Sequence, residues 1–404
     1  MRCRLFVTQL VTLFPLLAVA PLCSSCGARS GPEFRDAPRA DACRPVRIEE
    51  DGVDVLFIVD NSGSMREEQA SFVREIPRLV RTLTTGDRNA DGIQDFPAVT
   101  SLHVGVVTSD MGSGDEPSVR TCTPGLGDDG ILRRTILEPD GDCMPSYPSG
   151  TFAFMAGDDT AAFSTTIGCM VNLGTGGCGY EQQLEAGLKA VTPTNPEEWT
   201  AEGYTPPRFF DPETGLPNRL PGHATGANAG FLRPNSVLTL VLVTDEEDCS
   251  VFDYGIFGYT DPRFTSIPAN IRCNTYSDDP TIVAPVSRYV NGFLGLRRSP
   301  ELLVFSAIVG IPPETEEAAA SRDFAAVLSH PDMQPGPDAS GNMLRPSCES
   351  PNGIAYPPVR IVQTAAQLHA QGANVAVTSI CTGSFAPAFD ALINRVVVAI
   401  DACY

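Results

Sequence analysis

Five nearly continuous apolar runs, each seven or eight residues long, are the strongest constraint on how this 404-residue chain can fold. They are rich in β-branched residues and show little of the polar alternation expected of a strand with one wet face. Strands covered by helices on both faces have this pattern. The runs are residues 53–59, 102–108, 237–244, 302–309 and 374–380.

Segments with apolar residues at three- and four-residue spacing, which is typical of amphipathic helices, lie between and after these runs. The predicted helices are residues 65–85, 180–191, 284–296, 315–330, 360–370 and 385–399. Alternation of strand and helix predicts an α/β fold with a doubly wound, mainly parallel central sheet and helices on both faces.

The first 25 residues have the features of a secretion signal. Arg2 and Arg4 precede an apolar stretch, and small residues lead up to Cys26. This end resembles a bacterial lipoprotein signal, which implies lipidation of Cys26 and a cell-envelope or cell-surface location on the bacterial outer membrane, with simple secretion as the alternative. Residues 26–50 then form a tether to a domain at 51–404.

The cysteine content supports export. Outside the signal and its lipidation site, ten cysteines remain, an even number that suits an oxidising compartment and predicts five disulfides. They are Cys43, Cys122, Cys143, Cys169, Cys178, Cys249, Cys273, Cys348, Cys381 and Cys403. Pairing of sequence neighbours predicts the bridges 122–143, 169–178, 249–273 and 348–381, and a Cys43–Cys403 bridge between the two ends.

Charge excludes one class of partner. The formal net charge is −21, and binding to nucleic acid requires a basic surface. We therefore expect no nucleic-acid partner, and contact with a membrane only through the lipid anchor.

Two of the predicted strands end in acidic loops. Asp60, Ser62 and Ser64 follow the first run, and Asp245 follows the run at 237–244. Ligands of doubly wound folds bind beyond the carboxyl ends of the strands, so these oxygen-bearing side chains are expected to meet at one edge of the sheet. Carboxylate and hydroxyl oxygens at this spacing can converge on a small hard cation.

The segments LFIVDNSGSM and LVTDEEDCS resemble the von Willebrand factor A family, from about residue 51 onward. The resemblance implies a Rossmann-like sheet and a metal-ion-dependent adhesion site in which Asp60, Ser62, Ser64 and Asp245 take part. The family's middle ligand is a threonine. Thr175 has that residue type but lies further from the following helix than the pattern requires, and Glu181 is the alternative.

By this resemblance, the protein is a non-enzymatic binding module that holds Mg²⁺ or Mn²⁺ and captures an Asp or Glu of a partner protein. An open coordination position on the ion receives the partner's carboxylate. Two alternatives remain: a structural envelope component with a degenerate metal site, and a metal-dependent hydrolase. The GxSxG, HExxH and phosphate-loop motifs are all absent from the sequence, which disfavours an enzyme.

A second cation signal is the stretch GDRNADGIQDF. Oxygen-bearing side chains alternate around Gly92, as in shortened calcium-binding loops, although Ala98 stands where an EF-hand has its bidentate Glu. The predicted calcium ligands are Asp87, Asn89, Asp91 and Asp95.

Three long segments interrupt the strand–helix alternation. They are insertions near residues 110–170, 192–235 and 250–283. We expect them to emerge on or beside the metal face and to determine which partner binds, or else to serve as disulfide-stapled decoration.

Overall fold

A six-stranded sheet forms the centre of the molecule in the computed structural model, which describes residues 52–116, 119, 121–136, 143–351 and 353–401. The strand order is β10-β7-β6-β1-β2-β3; the first five of these are parallel, and β3 is an antiparallel edge strand. The strands are β1 (Val53–Val59), β2 (Ser101–Thr108), β3 (Phe152–Met155), β6 (Val237–Val243), β7 (Leu303–Val309) and β10 (Asn374–Ser379). Two small antiparallel hairpins complete the strands: β4 (Phe209–Asp211) with β5 (Leu216–Leu220), and β8 (Cys348–Ser350) with β9 (Gly353–Ala355).

Helices cover both faces of this sheet. They are α1 (Arg66–Thr85), α2 (Thr160–Val171), α3 (Gln183–Val191), α4 (Arg272–Thr275), α5 (Val286–Leu294), α6 (Glu316–Ala320), α7 (Phe324–Ser329), α8 (Val359–Ala370) and α9 (Ala386–Asp401). The core has two main apolar layers, one under α1, α2 and α9 and the other under α3, α5 and α8. Alternate residues of β1 enter the two layers: Phe57 packs on the first, with its ring 5.4 Å from that of Phe72, and Ile58 packs on the second.

The chain reverses its direction of growth across the sheet at β1. It first adds β2 and β3 on one side and then returns to add β6, β7 and β10 on the other. The register pairs Val59 with both Thr108 and Val243, so the carboxyl ends of three neighbouring strands are level. The crevice beyond such a reversal is where doubly wound folds bind ligands.

The predicted α/β class and the five predicted strands are confirmed, with boundaries that agree to within one residue. The helix predicted at 315–330 is divided into α6 and α7, and Arg322 between them has a positive φ of 65°, which ends a right-handed helix. Strand β3 and helix α2 were not predicted. Strand β3 lies within the segment interpreted as the 110–170 insertion, and α2 ends one residue beyond it.

Four disulfides are present among the described residues. The predicted bridges 249–273 and 348–381 are confirmed. The predicted bridges 122–143 and 169–178 are wrong, because the structure pairs Cys122 with Cys178 and Cys143 with Cys169. Cys169 belongs to a helix, whereas Cys178 lies in the loop beyond it, and that loop meets the segment containing Cys122 at the carboxyl edge of the sheet.

Several predictions concern residues outside the described ranges. They are the signal at 1–25, the tether at 26–50, lipidation at Cys26, and the Cys43–Cys403 bridge. Within the described ranges, no helix combines the length and apolar character needed to cross a bilayer. The four observed disulfides indicate an oxidising, extracytoplasmic environment.

The disulfide pattern can be checked by peptide mapping under non-reducing conditions. We expect crosslinked peptides that join Cys122 to Cys178 and Cys143 to Cys169. Replacing both Cys122 and Cys178 by Ser should lower the free energy of unfolding by about 2–4 kcal/mol, because the unfolded chain regains the freedom of a long loop. Recovery of a 122–143 or 169–178 crosslink from the native protein would contradict the assignment.

Candidate functional site

The centre of the site is Asp60, the first residue after β1. It is fully buried at the point where the sheet reverses. Its backbone N–H donates to the carbonyl of Val243, and its carboxylate accepts the hydroxyl of Thr244 at 2.6 Å. Burial raises the pKa of Asp60, and the Thr244 hydrogen bond partly offsets this rise. Asp60 is therefore an acceptor held in place by the neighbouring strand.

The two serines of the motif lie in the tight turn between β1 and α1. The N–H of Ser62 donates to Oδ1 of Asp60 at 2.8 Å, which folds the turn back over the carboxylate. The hydroxyls of Ser62 and Ser64 are 3.1 Å apart. The structure thus brings together the first three predicted metal ligands.

Asp245 approaches from β6, the next strand. It is 1% exposed, and its Oδ1 has no hydrogen-bond partner among the described residues. Burial and the nearby Asp60 charge raise the pKa of Asp245 to about 8, while a hydrogen bond from Ser64 acts in the opposite direction. The fourth predicted ligand therefore adjoins the other three and presents an oxygen without a partner.

The loop before α3 carries both candidates for the middle ligand. The Thr175 hydroxyl is partly exposed and accepts a long hydrogen bond, 3.4 Å, from Arg66. Glu181 is 6% exposed, and burial followed by the Asp60 charge raises its pKa well above the ordinary value. Glu181 thus interacts electrostatically with Asp60, whereas the Thr175 hydroxyl is hydrogen-bonded to Arg66.

Helix α1 and strand β2 supply residues that the sequence reasoning missed. Gln69 donates to the Asp60 carbonyl at 2.8 Å and to the Gly174 carbonyl at 3.0 Å, so it ties the first loop to the middle loop. Glu68 has a pKa raised to about 7, chiefly by burial. Ser109 lies 3.5 Å from Asp60 at the end of β2. The position of Ser109 after a predicted strand was the one available signal.

The site brings together carboxyl groups that have no ion pair. Five carboxylates have raised pKa values in this region, and none forms a salt bridge with a residue that the structure describes. They are Asp60, Glu68, Glu181, Asp245 and Glu246. Ionising several neighbouring carboxyl groups without an ion pair is costly, so the region is electrostatically suited to binding a cation.

The donor set fits a divalent metal in its chemistry. Hard oxygen ligands are available from the carboxylates of Asp60 and Asp245 and from the hydroxyls of Ser62 and Ser64. Among the described residues, Oδ1 of Asp245 has no hydrogen-bond partner and could coordinate an ion. No cluster of three or more His, Cys, Asp or Glu side chains in the described part of the chain is arranged as a metal site. A site at this position therefore depends on the serine hydroxyls as well as on the carboxylates.

The predicted calcium loop lies between α1 and β2, at the opposite edge of the sheet. Asp87 is buried there and accepts the N–H groups of Ala90 and Gly92 at 2.7 and 2.8 Å. The Gly92 bond is the main cause of the lowered pKa of Asp87. Asn89, Asp91 and Asp95 are exposed. Calcium binding at this loop stays a prediction.

His103 and His223 both contact other groups and lie away from Asp60. His103 lies early in β2, next to the carbonyl of Phe231 at 2.9 Å, which is on the far edge from Asp60 as its sequence position indicated. His223 contacts Asp129 at 2.9 Å. Among the described residues, neither histidine is hydrogen-bonded to a serine or cysteine.

The raised pKa values predict that the metal-free protein loses stability as the pH rises. The folded state keeps protons on Asp245 and Glu68 that the unfolded state has already released, so the free energy of unfolding should fall between about pH 5 and about pH 8. Thermal unfolding in the presence of a chelator measures this. Asp245→Asn should flatten the dependence, whereas the exposed control Asp332→Asn should not.

An unfolding free energy that stays constant or rises over this pH range would contradict the site electrostatics. Added Mn²⁺ is expected to stabilise the protein more at the upper end of the range, because the carboxylates must lose their protons to bind a metal.

No known protein-family profile matches this chain, and no curated protein sequence is significantly similar to it. The resemblance to the von Willebrand factor A family therefore stays a prediction carried by the residues around Asp60 and Asp245.

Proposed function

We propose that the chain is a metal-dependent binding module of the cell envelope that captures an acidic residue of a partner protein. Asp60, Ser62, Ser64 and Asp245 would hold Mg²⁺ or Mn²⁺, with Thr175 or Glu181 as a further ligand. The observation that carries the proposal is the buried Asp245 oxygen without a partner beside a fully buried Asp60, at the reversal of the sheet. Lipid anchoring through Cys26 would keep the module at the outer membrane.

The protein's contribution is to hold its oxygens in place before any ligand arrives. Thr244 and the Ser62 N–H fix the two oxygens of Asp60, and Gln69 fixes the backbone beneath it. A bound divalent ion supplies an electrophilic centre that accepts a carboxylate oxygen from outside. The serine ligands are neutral, so they leave positive charge on that centre.

The long segments beside the site are suited to choosing the partner. Cys178, Cys249 and Cys381 all follow elements that end at the carboxyl edge, and each is tied by a disulfide to another segment. Loops stapled in this way present a fixed surface around the site, which lowers the entropic cost of binding a folded partner.

A structural role with a degenerate metal site is the second candidate. One observation favours it: the Thr175 hydroxyl is directed to Arg66, a cation next to the first loop. Replacement of a neutral middle ligand by Glu181 would also make the site more anionic and less able to attract a second carboxylate. This candidate predicts no partner whose binding depends on a metal. Catalysis as a metal-dependent hydrolase is a weaker alternative, since the histidines lie elsewhere.

Calorimetric titration with Mg²⁺, Mn²⁺ and Ca²⁺ tests the metal site. Asp60→Ala should abolish Mg²⁺ and Mn²⁺ binding while leaving the fold intact, because it removes the central carboxylate but no apolar packing. Asp95→Ala should remove only a Ca²⁺ site in the 87–95 loop. Asp332→Ala serves as a charge-matched surface control. Unchanged Mn²⁺ affinity in Asp60→Ala would overturn the site assignment.

The middle ligand can be identified with two single variants. If Thr175 coordinates the metal, Thr175→Ala should weaken Mn²⁺ binding and leave the pH dependence of stability unchanged. If Glu181 coordinates it, Glu181→Gln should weaken Mn²⁺ binding and also reduce the loss of stability at high pH, since a carboxyl with a raised pKa has been removed. Retention of full Mn²⁺ affinity in both variants would exclude both residues as ligands.

A further inference from the structure

Lys189 is unusual in both its residue type and its position. Of the 28 Lys and Arg residues in the sequence, it alone is a lysine. It lies in the last turn of α3 and is 1% exposed, with its Nζ 5.5 Å from the centre of the Phe209 ring. Elsewhere in the described part of the chain, arginine makes the ion pairs of buried carboxylates, which include Asp54, Glu185 and Asp248. A primary amine is therefore a specific feature of the Lys189 position.

The carboxylate that faces this amine belongs to Asp129, in a tight turn against α3. Asp129 is 7% exposed and has a left-handed φ of 59°. A Cβ atom on Gly130 would lie 2.6 Å from the carbonyl oxygen of Ala186, so the turn packs closely on the helix. The Asn228 amide donates to the carbonyls of Gly130 and Ala190, at 2.9 and 3.1 Å. The fold thus fixes the turn and the helix relative to each other.

Two side chains contact the Asp129 carboxylate. The Nζ of Lys189 donates to Oδ1, and Nε2 of His223 lies 2.9 Å from Oδ2. An ammonium group has three N–H donors, and Asp129 is the one acceptor that Lys189 has among the residues that the structure describes. Burial of two charges costs desolvation free energy, which is repaid only when the remaining donors are also hydrogen-bonded. This pair is therefore poorly stabilised as two separate charges.

We propose that Lys189 and Asp129 become joined by an intramolecular amide bond between Nζ and Cγ after the chain has folded. The amide replaces two buried charges by one neutral group that has a single N–H donor. Because the fold holds the amine against the carboxyl group, the reaction is unimolecular, and well-oriented groups reach effective concentrations of about 10⁵–10⁸ M. Exclusion of water from the buried pair opposes hydrolysis of the product. This inference does not depend on the proposed metal site.

The reaction is a condensation that releases one water. A proton moves from Nζ to Oδ1 within their hydrogen bond, which leaves a neutral amine and a neutral carboxyl group. The lone pair of Nζ attacks Cγ, and the N–H of His223 stabilises the negative charge that develops on Oδ2. A second proton passes from Nζ to Oδ1, and the Cγ–Oδ1 bond breaks. Oδ1 leaves as water, and Oδ2 becomes the oxygen of the amide carbonyl.

Tryptic mapping of the full chain, after it has been unfolded, reduced and alkylated, tests the bond. Trypsin cleaves after arginine and lysine, but not after a lysine whose amine is acylated. We expect a branched product that joins residues 121–133 to an uncut segment 135–208, with a mass lower than that of the two peptides together by one water. Recovery of separate peptides 121–133, 135–189 and 190–208 would overturn the inference and leave an ordinary ion pair.

Amine labelling gives an independent readout, because Lys189 carries the only side-chain amine in the sequence. The reduced chain is treated with an acetylating reagent in denaturant, where every free amine is accessible. Lys189 should stay unlabelled in the wild-type protein and become labelled in Asp129→Ala. Labelling of Lys189 in the unfolded wild-type protein contradicts an amide bond.

A neighbouring acid provides a matched control. Asp128 precedes Asp129 but forms its ion pair with Arg133, so Asp128→Ala should retain the branched peptide that Asp129→Ala loses. The reverse result would assign the bond to another carboxyl group and overturn the inference. Circular dichroism verifies that each variant folds, and the wild-type peptide map tests the bond without any variant.

The part played by His223 is tested by the rate at which the bond forms. Newly synthesised chains are quenched in denaturant at intervals, and the branched fraction is measured at each time. His223→Phe keeps a ring but removes the N–H donor to Oδ2, so the bond should form about 10²-fold more slowly or less. An unchanged rate in this variant would exclude His223 from the reaction.

Discussion

Desolvation of Asp60 is the constraint around which the carboxyl edge of the sheet is organised. A fully buried carboxylate needs donors, and here they come from the next strand through Thr244, from its own turn through Ser62, and from the end of β2 through Ser109. Each of these contacts requires the strands to end level with one another. The shape of the first loop follows from this requirement, whereas the position of the crevice follows from the reversal of the sheet at β1.

A second buried aspartate, Asp54, lies near the opposite end of β1 and has different partners. Asp54 is also fully buried, but Arg233 donates to it from both its backbone and its guanidinium at 2.7 Å, and Arg297 lies 4.0 Å away. Asp54 therefore joins segments of the amino edge as a compensated ion pair. Asp60 and Asp245 have hydroxyl and amide donors but no arginine, and that difference is the physical basis for assigning cation binding to the carboxyl edge only.

Much of this arrangement can be predicted from sequence because it depends on local patterns. The five apolar runs specify buried parallel strands, and the acids after the first and third runs must then lie at one edge. Contacts between residues far apart in the sequence cannot be predicted from local patterns. Nothing near Arg233 indicates that it contacts Asp54, and the Cys122–Cys178 bridge joins segments 56 residues apart, so pairing by sequence proximity gave the wrong partner. Strand β3 was missed because a four-residue edge strand carries too short a pattern.

The Cys122–Cys178 bridge links the assembly of the site to the oxidation of its cysteines. It adds a covalent link to the loop that contains Thr175 and leads into Glu181, which Gln69 also holds through hydrogen bonds. Thiols stay reduced before export, and the loop then has its hydrogen bonds but not its covalent link. Under the proposed function, the binding face therefore gains its covalent support only outside the cytoplasm, after the chain has left the compartment in which it is made.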